Sequence, residues 1–150
     1  MQVNTTRFGV VDIADDKVIR FPQGLLGFPD QQRYCLLEPG EDACFFWLQS
    51  LDEPSLAFVV TDPSLFFKDY EVPLRPEQAE SLGIDKLEDA QIFVIVNKVN
   101  ETLTANLQGP LLINTIAMAG EQLVLADKRW TTRHEVMQVG APERAKAATA

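Results

Sequence analysis

The chain has one histidine, His134, and two cysteines, Cys35 and Cys44, in 150 residues. No Cys-x-x-Cys spacing is present, and one imidazole with two thiols is a poor ligand set for a structural metal. Placed on what read as neighbouring strands, the cysteines are expected as thiols of a reducing compartment, packed as small hydrophobes. The scarcity of histidine leaves His134 as the one candidate of the commonest general-base type. Ser50, Ser55, Ser64 and Ser81 lie in no nucleophile-elbow pattern, and His134 is far from all of them in sequence, so it reads as an edge or packing residue.

Long apolar runs are absent too. The longest, CFFWL, LAFVV and IFVIV, have five residues each, against the roughly 20 that a membrane helix needs. Met1 to Val10 is polar and carries no apolar stretch of the secretory kind, so the expected location is the cytoplasm. Positive charge is scarce: 13 basic side chains face 22 acidic ones, a formal charge of −9. That balance opposes sequence-independent attraction to phosphate backbones and makes nucleic acid a poor direct ligand. It favours a basic protein partner, whose encounter it would speed, and it also keeps a protein soluble. Gly24-Leu25-Leu26-Gly27 lacks the Lys-Ser/Thr of a phosphate-binding loop. Asp15-Asp16 and Asp52-Glu53 fall in polar turns, where water keeps carboxylates ionised and untuned for proton transfer. No catalytic residue, cofactor or metal is expected.

Hydrophobic residues make up 46% and charged residues 23% of the chain, globular values at a length that suits one domain. Residues 1–139 are expected to form it, with 140–150, GAPERAKAATA, a disordered tail. Val11 and Ile13 alternate with Asp12, and Ala14 to Lys17 supplies a turn before Val18 to Phe21, which predicts a hairpin; Gly9 marks a bulge in a longer first strand. The loop from Pro22 to Pro29 carries two glycines and two prolines, yet also three large apolar side chains that need cover. Strands are expected at Arg33 to Glu38, Ala43 to Ser50, Leu56 to Asp62, Ile92 to Val99, Thr102 to Gln108, Leu111 to Ile116 and Gln122 to Ala126. Pro76 to Leu82 reads as a short helix, with proline in its first turn and Gly83 as its stop. Many short strands and one short helix predict an all-β domain, a small antiparallel barrel-like fold with one or two short helices.

Cys44 to Tyr70, CFFWLQSLDEPSLAFVVTDPSLFFKDY, is the most informative stretch. Phe45, Trp47 and Gln49 share one face of a strand and Phe46, Leu48 and Ser50 the other, so large apolar side chains need cover on both faces. Phe45 or Trp47, with Phe58, is expected in the core. In the segment Phe66 to Glu71, aromatic residues alternate with Asp69 and Glu71. This predicts either an exposed aromatic on an acidic rim or aromatics that wrap onto the barrel. Partner contact is therefore expected at Leu25, Phe28, Phe66, Phe67, Asp69, Tyr70 and Glu71. Asn97, Asn100, Asn106 and Asn114 are expected to satisfy turn backbone groups.

Several short motifs occur in one order: Phe21-Pro22-x-Gly24-Leu25-x-Gly27-Phe28, Tyr34, Leu48-Gln49-Ser50, Pro54-x-x-Ala57-Phe58, Asp62-Pro63, Asp69-Tyr70, Asn97, and Asn106-Leu107-x-x-Pro110-x-x-Ile113-Asn114. Over about residues 3 to 136 the chain resembles the flagellar assembly factor FliW family. It departs from the pattern at Gly109, where a residue with a side chain is expected, which predicts a looser turn at 108–110. The resemblance implies a small barrel-like protein without catalytic activity that binds two partners in the bacterial cytoplasm: flagellin, and the carbon storage regulator CsrA, an RNA-binding repressor of flagellin translation. It further implies that flagellin sequesters the factor and that the factor, once released, relieves repression. Two other classes remain as alternatives: a ligand-binding or enzymatic barrel with a pocket behind Phe45, Trp47 and Phe58, and an oligonucleotide-binding barrel that stacks bases on Trp47 or Phe66.

Overall fold

The computed structural model describes residues 1–38 and 44–138. The tail expected at 140–150, and Ala43 at the start of an expected strand, lie outside the described residues. The strands are β1 (Gln2–Thr5), β2 (Gly9–Asp12), β3 (Ile19–Arg20), β4 (Arg33–Leu37), β5 (Phe45–Ser50), β6 (Ala57–Thr61), β7 (Ala90–Val99), β8 (Thr102–Ala105), β9 (Leu111–Asn114), β10 (Ala119–Gln122) and β11 (His134–Gln138), with one helix, α1 (Pro76–Leu82). The expected all-β barrel is borne out.

The main sheet closes on itself. Strands β3 to β7 follow one another as antiparallel neighbours, the first half of β7 pairs with β9, β9 pairs with β10, and β10 returns to β3. The closing contact is parallel and rests on the single pair Ala119 and Arg20, so the ring is antiparallel everywhere but there. Opposite β6, the other edge of the long β7 serves two neighbours, because its second half, Val96 to Val99, pairs with β8, which carries β11 on its far edge.

The interior is filled by alternate side chains from successive strands, Ile19, Tyr34, Leu48, Val60, Phe93 and Ile113 among them. The outer face is apolar as well and is covered in three places. The β1–β2 hairpin lies over β4 and β5 through Val3, Ile13 and Cys35. Helix α1 lies over β9 through Leu82, Ile84 and Leu112. Phe67, Tyr70 and Trp130 cover Val94, Ala105 and Leu107. This answers the demand of the two-faced apolar strands: both faces are removed from water, which stabilises by about 25 cal/mol per Å² of apolar surface.

Local chemistry explains the helix bounds. Pro76 fixes φ where an amide donor is not needed, and the Gln78 side chain accepts from the Arg75 N–H at 3.1 Å. Gly83 ends the helix at φ 68°, a left-handed conformation that suits glycine, and the Ile84 N–H returns to the Ala79 carbonyl at 2.8 Å.

Several expectations are corrected. Strand β2 pairs with β1, not with the strand after it, because Asp15–Lys17 form a single 3-10 turn that carries the chain away to β4. Gly9 accordingly starts β2 beyond a turn and is not a bulge in a longer strand. The strand expected at Gln122 to Ala126 is Ala119–Gln122; Leu123 and Leu125 instead donate to the Pro110 and Gln108 carbonyls from an irregular extension. In β5 the inward residues are Phe46 and Leu48, packed with Phe58, whereas Phe45 and Trp47 face outward. Cys35 is buried, but Cys44 is exposed, and both are free thiols.

Candidate functional site

The Phe21 to Pro29 loop closes one end of the barrel. Phe21 and Leu25 are buried in the core, and Leu25 bridges to Phe28 through paired backbone hydrogen bonds. Gly24 makes this turn possible. Its φ is 67°, and a Cβ there would stand 2.5 Å from the Phe28 carbonyl oxygen and 2.6 Å from the Pro29 Cα. The tightness of the turn thrusts the next residues outward, leaving Leu26 62% and Phe28 39% exposed. Phe28 packs edge-on against Phe58 at 5.4 Å between centroids.

The loop is tied to the other end of the chain. The Leu26 N–H donates to Gln122 Oε1 at 2.8 Å, and Gln122 Nε2 donates to the Gly109 carbonyl at 2.9 Å. The Gly109 N–H donates to Asn106 Oδ1 at 2.9 Å. Gly109 is buried and bonded through both backbone groups, which corrects the expected loosening of the 108–110 turn. A Cβ there would approach the Gln122 and Asn106 amide nitrogens to 3.0 and 3.1 Å. Asn114 has the same kind of structural role: its Oδ1 accepts from Ile116 and Ala117, and its Nδ2 donates to Leu82 at the end of α1. Asn97 differs from the expectation, since it lies within β7 opposite Thr104 and not at a turn.

The aromatic-acidic segment lies elsewhere. Asp62 Oδ1 accepts from the Ser64 N–H and opens a 3-10 turn that brings the chain across the outer face. There Phe66 stacks on Phe45 at 5.8 Å, and Phe67 sits edge-on to His134 at 6.1 Å. The Tyr70 hydroxyl donates to the Leu107 carbonyl at 2.7 Å, and its ring meets Trp130 at 4.9 Å. Burial pushes the Tyr70 phenol well above its ordinary range. All three aromatics are half-buried, so the chain wraps them onto the barrel; Asp69 and Glu71 between them are exposed. Both carboxylates act electrostatically on Arg129, whose guanidinium lies 5.1 Å from the Trp130 ring and pairs with Asp127 at 2.8 Å.

The expected contact residues thus form two groups. Leu25 and Phe28 sit at the closed end near Phe58, which points inward from the start of β6. Phe66 meets Phe45 on the outward face opposite Thr61, at the far end of the same strand. The structure does not bring the two groups together. Nor do Phe45, Trp47 and Phe58 share a pocket, because Phe58 points inward and the other two outward. Trp47 lies between the Arg7 guanidinium, 4.1 Å from its ring, and Phe8 at 5.9 Å, so its faces are occupied by its own chain. His134 is the packing residue that the sequence predicted, between Phe67 and Trp130. Sequence reasoning missed Leu26, Phe8 and Val10, which are 62%, 38% and 62% exposed; each is an ordinary apolar residue in sequence, and only the fold turns it outward, Leu26 and Phe8 from turns and Val10 from the outer face of β2. Among the described residues there is no group of three or more His, Cys, Asp or Glu arranged to hold a metal ion, and no helix long and apolar enough to cross a membrane.

Comparison with known proteins fits this architecture. The family model described as FliW protein matches residues 2–136. A flagellar assembly factor FliW from Heliobacterium modesticaldum is 40% identical over 147 residues, covering 97% of this chain and 96% of the relative. One from Treponema denticola is 38% identical over 139 residues, covering 91% and 94%. A crystal structure of the flagellar assembly factor FliW superposes with a TM-score of 0.83 at 33% identity, covering 91% of this chain and 97% of that one. With sequence and fold matching end to end over the described barrel, the chain belongs to the FliW family of flagellar assembly factors.

Proposed function

We propose that this assembly factor acts by binding and not by catalysis: in the cytoplasm it holds free flagellin and, once flagellin is exported, binds the repressor CsrA and relieves repression of flagellin translation. Family membership across residues 2–136 carries the reading. The formal charge of −9 supports it, since a regulator that binds RNA is basic and complementary fields raise the rate of encounter. Phe28 and Leu25 at the closed end, and Phe66, Phe67, Asp69, Tyr70 and Glu71 on the outer face, are the proposed contact regions. Within them Phe28, Asp69 and Glu71 meet the partner directly, while Leu25, Phe67 and Tyr70 hold the surface in shape.

Competition alone makes this a switch. With flagellin free at about 100 times its dissociation constant, the factor available to the regulator falls roughly a hundredfold, equivalent to about 2.7 kcal/mol. The test mixes factor, flagellin and regulator on a sizing column with flagellin in excess. Depletion of the regulator complex is expected. A stable ternary complex, or a regulator complex that excess flagellin leaves intact, overturns the competitive scheme.

A further inference from the structure

At the end of the barrel opposite the Phe21 to Pro29 loop, the described residues line a cavity of about 570 Å³. Ile19, Leu36, Phe93, Ile113 and Met118 line its depth. Their inward direction follows from the ring: each belongs to the interior cluster or packs against it. The size falls in the range of about 300–1,000 Å³ typical of occupied pockets.

The chemistry of the wall restricts the occupant. Its two uncharged polar side chains, Gln91 and Thr115, each donate to a backbone carbonyl, of Ile92 and Asp89, at 2.8 and 3.0 Å. The side chains that line its depth are apolar, so the interior suits an apolar group. The rim is acidic. Asp12 and Glu38 stand on it with Lys17, and Asp15 and Asp16 adjoin it on the same 3-10 turn; the amino group of Met1 lies 3.6 and 3.7 Å from Asp12 and Asp15. An anionic amphiphile would place its head group against these carboxylates, whereas a cationic segment would meet opposite charge.

We infer that this cavity is a docking site for a cationic peptide segment of a partner protein, which inserts one large apolar side chain between flanking lysines or arginines. The inference deepens the protein-binding reading above and rests on it. It gives a binding mode to a region that contains none of the contact residues proposed above.

The probe is a pentapeptide with one phenylalanine between two pairs of lysines, titrated into the isotope-labelled protein while backbone amide resonances are followed. Saturable shifts are expected at Leu36, Phe93, Ile113 and Thr115. Replacing the peptide's phenylalanine by alanine should weaken binding by about tenfold or more, the scale of burying one large apolar side chain. Replacing its lysines by glutamates should abolish binding. Ala14→Trp, which sets an indole at the mouth, should remove the shifts, and Glu38→Lys, a surface change that leaves the interior untouched, should weaken the cationic peptide severalfold. The inference is overturned by the absence of saturable shifts at millimolar peptide, by shifts that map elsewhere, by equal binding of the acidic peptide, or by binding that survives both variants. The flagellin and regulator mixing experiment on the unmodified protein is independent of this titration, so failure here is distinguishable from failure of the binding role.

Discussion

The ring of Phe21 occupies the space that a side chain at Gly120 would need: a Cβ there would lie 2.6 Å from Phe21 Cε2 and 2.8 Å from Cζ, with the Leu112 carbonyl at 3.2 Å. Phe21 is fully buried, and Gly120 belongs to β10, beside the single parallel pair that closes the ring. Gly120→Ala should therefore overpack the seam and cost about 1–3 kcal/mol. Chemical denaturation checks this, and a loss below about 0.5 kcal/mol would mean that the ring moves aside freely.

Gln122 joins the family's N-terminal loop to its Asn106–Pro110 turn through one amide. Gln122→Ala removes both bonds and leaves the partly buried Gly109 carbonyl unpaired, at a cost of about 1–3 kcal/mol. The Leu26 amide should lose protection in hydrogen exchange before the β5–β6 ladder does. Unchanged exchange at Leu26 would show that the bond contributes nothing to the loop.

The alternation of β5 makes neighbouring residues unequal. Leu48 is fully buried inside the ring, so Leu48→Ala should cost about 3–5 kcal/mol. Trp47 is half-buried on the outside, between Arg7 and Phe8, and Trp47→Ala should cost less, about 1–2 kcal/mol, mostly as lost hairpin packing. A larger loss at Trp47 than at Leu48 would contradict the assignment of faces.

Alkaline pH should unfold the protein through two adjacent buried groups. Burial pushes the Tyr34 phenol up to about 12 and the Cys35 thiol up to about 11, from ordinary values of 10.0 and 9.0. A raised folded-state pKa means that the native state holds its proton longer than the unfolded chain. Stability is then fully present below about pH 9 and falls as pH rises through 9–11 for Cys35 and 10–12 for Tyr34, by roughly 2–3 kcal/mol each. Tyr34→Phe should flatten the upper part of this slope. At neutral pH it should cost nothing and gain up to about 1 kcal/mol, because the Tyr34 hydroxyl is buried with no partner among the described residues. Denaturation midpoints measured from pH 7 to 12 decide it, and an unaltered slope in the variant would refute the assignment to Tyr34.

The exposed carboxylates Asp69 and Glu71 flank a segment whose aromatics are held by the barrel, so they can be reversed without disturbing the core. Asp69→Lys with Glu71→Lys should slow association with the regulator and weaken its dependence on salt, while thermal stability stays within about 0.5 kcal/mol. Unchanged association rate and salt slope in stopped-flow would place the regulator's contact elsewhere on the surface.

Local information determined much of this protein. Pro76 and Gly83 delimit α1 because one fixes φ at a helix start and the other accepts φ 68° at its end. Runs of branched and aromatic residues located β4 to β7, and the ordered motifs from Phe21 to Asn114 identified the family. The face of each strand was not legible: in Phe45-Phe46-Trp47-Leu48 both phases of a two-residue period are apolar, so the pattern cannot say which phase points inward. The pairing of β10 with β3 and of β11 with β8 was likewise invisible, since each joins residues far apart in sequence through backbone groups that every residue carries. The two expected contact regions fell on opposite sides of the β5–β6 ladder for the same reason. Composition marked them as apolar beside acidic, and only closure of the ring decided that Phe67 and Tyr70 turn onto the barrel while Leu26 and Phe28 turn to solvent.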